Sequence, residues 1–188
     1  MRKIVVLNRV SLDGFFAGPN GEIDWFVQDP EVDVAVHDPE RTGDCRITIL
    51  GGTTYKLFEE SWVPFLSDPD APEEMKAVAE DLTNMTKVVF SEKIKETNWA
   101  NTELHNGELI NVAKKLKEGD SDIIIFGSGT IVQQLANEDL IDEYLLIVTP
   151  VVLNEGKPLF KDVKHSHLRL LGSQSFGSGN VLLHYLAA

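Results

Sequence analysis

Apolar residues along this chain gather into short, nearly uncharged runs separated by amphipathic stretches. Residues 3–10 (KIVVLNRV), 46–50 (RITIL), 86–90 (TKVVF) and 122–126 (DIIIF) are β-branched and almost continuous, the pattern of strands buried on both faces. Residues 108–118 instead place Leu109, Val112, Ala113 and Leu116 on one helical face. Residues 73–84 open with two acids, as a helix N-terminus favours. Short helices are also predicted from Tyr55 to Glu60 and over 130–138, and a weaker one starts within 31–42, where Pro39 limits it. The three prolines in 62–72 predict a surface loop, and Thr102–Leu104 predicts a short strand.

The final third changes character. Residues 143–152 and 180–186 read as strands, with only turns, Gly156 and a Ser/Gly-rich linker at 172–179 between them. Strand-turn-helix units first and hairpin-like strands last predict an α/β fold in a single domain over residues 1–188. Its sheet should be mixed and mainly parallel, with about eight strands and helices on both faces.

Composition adds exclusions. Hydrophobic residues at 43% and charged residues at 25% match a folded globular chain. Cys45 is the only cysteine, which removes an intrachain disulfide or a cysteine-rich zinc site and suits a reducing cytoplasm. The first apolar run is interrupted by Asn8 and Arg9 too early for a signal peptide, and no apolar run approaches the ~20 residues of a membrane helix. The net charge of −13 argues against nucleic-acid or anionic-membrane partners. An anionic ligand would have to be held locally, by backbone amides at helix starts.

Two turns offer such amides. Gly127-Ser128-Gly129-Thr130 follows one apolar run and precedes a helix, although it is not G-x-G-x-x-G, and a tight turn with Thr130 as N-cap explains the same residues. Gly51-Gly52-Thr53-Thr54 repeats the arrangement. In an open α/β sheet such turns line one crevice, where a ligand with two phosphate regions can lie. A third element, the loop over 11–25 with Asp13, Asp24 and Trp25, has the glycine punctuation of a lid; turn capping and core packing account for it equally well. His165 and His167 have metal-compatible spacing but no third ligand nearby, so no metal is expected. Glu59, Glu60, Asp68 and Asp70 read as solvated acids.

Taken in order, the segments KIVVLNRVSLDGFFAG, ILGGTTYKLFEESW, KVVFSEKI, the stretch from Ile123 through Pro150 to Phe160, and VLLHYL resemble the superfamily of dihydrofolate reductase and the C-terminal reductase domain of riboflavin-pathway enzymes. The resemblance implies a dihydrofolate reductase-like three-layer fold and a nicotinamide cofactor, NADPH or NADH. It places phosphates against Gly51, Gly52, Thr53 and Thr54 and against Gly127, Ser128, Gly129, Thr130 and Ile131. It sets the adenine ribose beside Phe90 and Ser91, and nicotinamide beside Val10, Phe16 and Ala17. It further implies a cis peptide between Gly127 and Ser128, and a homodimer.

Gly52 stands where many relatives carry an arginine for the 2′-phosphate, so Lys93 or Lys56 is the expected substitute for that charge. Relatives dedicated to riboflavin synthesis often carry a zinc deaminase domain upstream, and its absence here implies a stand-alone reductase. The implied reaction is hydride transfer to a small flat heterocycle, pyrimidine- or pteridine-like, with Asp13, then Asp33 and His37, as candidate proton donors. A dihydrofolate reductase would need an enclosed carboxylate on the first helix, for which Asp33 is available. A non-catalytic nucleotide-binding or sensory protein is the alternative from another class.

Overall fold

The computed structural model describes residues 2–187, and in the short helix at 39–42 it leaves the side chains of Pro39 and Glu40 undescribed. The chain runs β1 (Ile4–Ser11), β2 (Phe15–Ala17), α1 (Pro30–Val36), α2 (Pro39–Thr42), β3 (Cys45–Gly51), α3 (Gly52–Trp62) and α4 (Glu73–Asn84). It continues β4 (Thr86–Phe90), β5 (Thr102–His105), α5 (Leu109–Leu116), β6 (Asp122–Phe126), α6 (Gly129–Asn137) and β7 (Glu143–Thr149). It ends β8 (Lys157–Pro158), β9 (Leu168–Ser175) and β10 (Val181–Ala187).

Eight strands form one sheet in the order β5-β4-β3-β6-β1-β7-β10-β9. Pairing is parallel from β5 through β7 and antiparallel from β7 to β10 and β10 to β9. The chain steps outward from β3 to β5, then returns to insert β6 between β3 and β1. That reversal is a topological switch point, the place where open α/β sheets leave a crevice at the carboxyl ends of their strands.

The side-chain alternation of each strand feeds opposite layers. On one face Ile4, Val6, Ile47, Ile49, Ile123 and Ile125 pack under residues of α5 and α6. On the other face the apolar packing is split. Val5, Leu145, Ile147 and Leu182 pack with Val32 and Val36 of α1, while Leu50 and Val89 pack with Tyr55 and Trp99 and with half-buried Leu82 of α4. Leu7 lies at the margin of the first cluster and Phe126 at the margin of the second, yet the two are direct neighbours across β1 and β6. The split leaves a gap in this layer above Leu7 and Phe126.

Several boundaries depart from the sequence expectation. The 31–42 segment divides at Pro39 into α1, capped by Asp29 accepting from the Glu31 amide at 2.9 Å, and the one-turn α2, which begins with that proline. α3 begins at Gly52 rather than Tyr55, and a 3-10 turn occupies Val63–Leu66 within the expected loop. β7 stops at Thr149. The first half of the 172–179 linker belongs to the edge strand β9, which pairs with β10 across a bulge, and only 176–179 remains a turn. β9 is mostly exposed and carries Gly172, Ser173 and Ser175, so tertiary pairing and not composition makes it a strand. β2 and β8 add a separate two-stranded ribbon, Phe15 opposite Pro158 and Ala17 opposite Lys157. Among the described residues no helix is long and apolar enough to cross a membrane.

Candidate functional site

The two glycine turns leave the adjacent strands β3 and β6 and lock onto each other. The Gly51 amide donates to Ser128 Oγ at 3.0 Å, and the Ser128 amide donates to Thr54 Oγ1 at 3.2 Å. Asn8 of β1 adds a third tie, its Nδ2 donating to the Gly127 carbonyl at 2.9 Å. Both hydroxyl oxygens thus accept a bond that joins the turns, and neither α3 nor α6 has a side-chain cap. At α6 the Ile131 amide returns to the Ser128 carbonyl, whereas the Gly129 and Thr130 amides make no hydrogen bond among the described residues. Two uncapped helix starts therefore stand side by side at the switch point, the arrangement that binds anions.

The backbone here corrects two expectations. No cis peptide occurs among the described residues; Gly127 and Ser128 instead take successive left-handed conformations, φ +55° and +50°, which turn the chain sharply without one. Ser128, not Thr130, is the N-cap residue of α6. Close approach explains two glycines. A Cβ on Gly129 would lie 2.3 Å from Phe16 Cε1, and one on Gly52 would lie 2.6 Å from Ser91 Oγ. Phe16 rests directly on the second turn, and Ser91 fills the space that a side chain at position 52 would need.

Around the turns lies a continuous cleft of about 1820 Å³. Of the sequence-predicted residues it brings together Phe16, Ala17, Gly51, Gly52, Thr53, Thr54, Phe90, Ser91, Gly127, Ser128, Gly129, Thr130 and Ile131, together with Asp33 and His37. Four are not brought in. Val10 is 7% exposed and packs in the core on the α5/α6 side of the sheet. Lys93 lies outside the lining, exposed, its amide donating to Ser91 Oγ at 3.2 Å. Asp13 is also outside, because its carboxylate accepts from the Leu153 and Asn154 amides at 3.1 and 2.8 Å and anchors the 150–154 loop. The Ser11 hydroxyl, with those amides, holds the Asp13 carboxyl below its ordinary range, suiting a structural acceptor rather than a proton donor. Lys56, the other proposed cation, pairs with Glu59 Oε2 at 2.6 Å and is absent from the lining. Glu92 and Glu108 stand at that end of the cleft.

Sequence reasoning named Asp33 and His37 but missed the two arginines near α1. Arg9, 12% exposed, donates from Nη2 to Asp33 Oδ1 at 2.8 Å and from Nη1 to the Val27 carbonyl at 3.4 Å. Arg41 donates to Gln174 Oε1 at 2.8 Å. A lone arginine inside the apolar run of β1 was the available signal for the first; nothing local marks the second. In the 11–25 loop Trp25 is half-buried, meets Phe26 edge-on at 4.6 Å and donates its indole N–H to the Glu22 carbonyl. Asp24 is exposed.

Away from the cleft, the His165 and His167 rings meet at 5.1 Å, but among the described residues no cluster of three potential metal ligands exists. Burial pushes the Cys45 thiol up to about 12, and its Sγ donates to the Thr42 carbonyl, which makes it inert.

A sequence profile of the RibD C-terminal domain matches residues 2–182. The chain belongs to this family. Two uncharacterized proteins of Bacillus subtilis (strain 168) are similar to it: YyaP, 31% identical over 98% of this chain and 94% of its own, and YwjB, 32% identical over 100% and 99%. Among solved structures, a candidate riboflavin biosynthesis protein from Shewanella sp. PV-4 has a TM-score of 0.74 at 21% identity over 99% of both chains. A diaminohydroxyphosphoribosylaminopyrimidine deaminase/5-amino-6-(5-phosphoribosylamino)uracil reductase from Thermotoga maritima has a TM-score of 0.66 at 14% identity, covering all of this chain and 57% of that one. These neighbours share the dihydrofolate reductase-like three-layer fold. In this RibD C-terminal-like chain the interlocked turns occupy the switch point of that fold.

Proposed function

We propose that the protein is a cytoplasmic NAD(P)H-dependent reductase that transfers hydride to a pyrimidine- or pteridine-like heterocycle, nearest in type to the 5-amino-6-(5-phosphoribosylamino)uracil reductases. The observation that carries this reading is the pair of uncapped helix starts held together by Ser128 and Thr54. Their donors fit a pyrophosphate, because free amides and aligned helix dipoles favour an anion within an otherwise acidic chain. When bound, a reduced nicotinamide supplies the hydride. The protein's part is positioning and exclusion of water. Phe16, seated on Gly129, and Ala17 form a cover on the β1 side of the turns. Phe90, stacked on His105 at 5.2 Å, and Ser91 form the β4 side, where the resemblance sets the adenine ribose. Arg9 fixes the Asp33 carboxylate on α1, and the His37 ring sits against the Asp33 carbonyl, so both polar groups reach the cleft in set orientations.

The dihydrofolate reductase alternative asks for an enclosed carboxylate on the first helix. Asp33 has the right placement, but its side chain is 54% exposed and ion-paired, which favours the riboflavin-type reading. The test is fluorescence titration of NADH and NADPH into the protein, followed by cofactor oxidation against a panel of oxidised pyrimidines and pterins. Binding and turnover are expected. Tight dinucleotide binding without turnover of any ring would support the sensory alternative, and absence of binding would overturn the reading.

A further inference from the structure

The cleft extends well beyond the glycine turns. Sites for a single small molecule occupy about 300–1,000 Å³, whereas this one spans about 1820 Å³. Beyond the glycine turns it continues into the gap between the two halves of the split layer, with Leu7 and Phe126 among its lining residues. From the α1 side Val34 reaches it, 75% exposed; from the opposite side come Leu57 of α3 and Met75 of α4, 39% and 41% exposed, beside Phe58 and Trp62. Exposed large aliphatic side chains lining both walls of one gap, with aromatic rings beside them, are suited to a flat apolar ligand.

Charge narrows the class. Carboxylates line the gap on both sides: Glu31, Asp33 and Asp38 at α1 and its following turn, Glu74 and Asp81 on α4. Its two cations are engaged already, Arg9 by Asp33 and the Val27 carbonyl, Arg41 by Gln174 and, at 3.8 Å, Asp38. The third cation of the cleft, Lys157, belongs to the β2-β8 ribbon. A phosphate group of charge about −2 would enter a partly desolvated gap against like charge, with no uncommitted guanidinium to receive it. A cation would meet carboxylates and neighbouring aromatic side chains.

We propose that this gap binds a flat aromatic ring bearing no phosphate, with a cationic ring favoured over a neutral one, so that the substrate differs from a phosphoribosylated pyrimidine. The proposal rests on the reductase reading only in calling that ring the substrate; its binding preference is a property of the gap alone.

The experiment is a fluorescence titration of the full chain with three tricyclic probes: proflavine (cationic), lumiflavin (neutral) and flavin mononucleotide (phosphorylated). ADP-ribose is titrated first and then kept saturating, so that the probes' phosphate cannot occupy the glycine turns. Failure of ADP-ribose to bind would count against the dinucleotide reading alone, and the probe series is then run without it. Proflavine should bind roughly fivefold tighter than lumiflavin, and lumiflavin at least roughly tenfold tighter than flavin mononucleotide. The double variant Asp33→Asn/Asp81→Asn, at two exposed positions, should weaken proflavine, strengthen flavin mononucleotide and leave lumiflavin unchanged. Leu57→Asp should weaken lumiflavin. Flavin mononucleotide binding as tightly as lumiflavin, a loss of its binding on Arg41→Ala, or no binding of any probe would overturn the proposal.

Discussion

Ser128 joins the two glycine turns through both its hydroxyl and its amide. It is 7% exposed, adopts φ +50° and accepts the Gly51 amide. Ser128→Ala keeps the backbone conformation but leaves that amide without its partner, which should lower unfolding stability by about 1–2 kcal/mol. It should also weaken ADP-ribose, because the two helix starts lose their spacing; urea unfolding and titration check the two effects separately. Glu92 governs the second residue-scale outcome. The cation expected to replace an arginine at position 52 is missing from the lining, which holds Glu92 and not Lys93. A charged contact to a phosphate contributes about 1.5–3 kcal/mol, roughly ten- to a hundredfold in affinity. Wild type should therefore show little preference for NADPH over NADH, Lys93→Ala should change neither, and Glu92→Lys should raise NADPH affinity by roughly tenfold. Titration of both cofactors into the three proteins reads this directly.

Among the elements, α4 depends on a residue outside itself. Lys87 of β4 is 1% exposed, and its Nζ donates to the carbonyls of Leu82, Thr83 and Met85 at 2.8, 3.0 and 2.8 Å while lying 4.7 Å from the Trp99 ring. The buried ammonium thereby satisfies carbonyls left over at the helix C-terminus. Burial lowers its pKa to about 8, which leaves it mostly charged at neutral pH. Lys87→Met preserves volume but strands these acceptors, and urea unfolding should show a loss of about 2–4 kcal/mol. The element scale also shows where sequence patterning was sufficient. The strands 86–90 and 122–126 appear with the predicted limits because continuous β-branched runs need no partner to be recognised. β9 and the β2-β8 ribbon were not recognised, because a Gly/Ser-rich edge strand and two-residue pairings exist only through what lies next to them.

Across the whole molecule the two ends of the sheet do different work. At the end opposite the cleft, Glu143 is 4% exposed and is met by Lys3 Nζ at 2.8 Å and His184 Nε2 at 2.9 Å. Burial pushes its carboxyl up, but these partners outweigh burial and hold it below its ordinary 4.5. A folded-state value below the unfolded one means that the stabilisation is present above about pH 4.5 and lost as the pH falls through the folded value. Wild type should thus lose stability more steeply than Glu143→Gln on acidification below about pH 4.5, as read by thermal unfolding. Assembly is the other outcome at this scale. Tyr144, Tyr185 and Leu170 form a row across β7, β10 and β9. Leu170 and Phe160 are 51% and 46% exposed, beside half-buried Leu183. A second copy covering this face would form the expected homodimer; sedimentation should give a dimer for wild type and a monomer for Leu170→Asp.

Local signals determined the parallel strands, the helices packed on them and the two anion-ready turns, because hydrophobic period and glycine placement act over a few residues. They marked the residues of both turns that line the cleft for the same reason. The tertiary structure alone decided the gap between α1 and the α3–α4 side, since that gap arises from how two separate apolar clusters divide one sheet face. It decided the pairing of Arg9 with Asp33 and of Arg41 with Gln174, 24 and 133 residues apart. It also placed Glu92 rather than Lys93 in the cleft lining and turned Asp13 toward a loop. Sequence spacing carries no information on such choices, because the direction of a loop side chain is set by neighbours that folding brings from elsewhere in the chain.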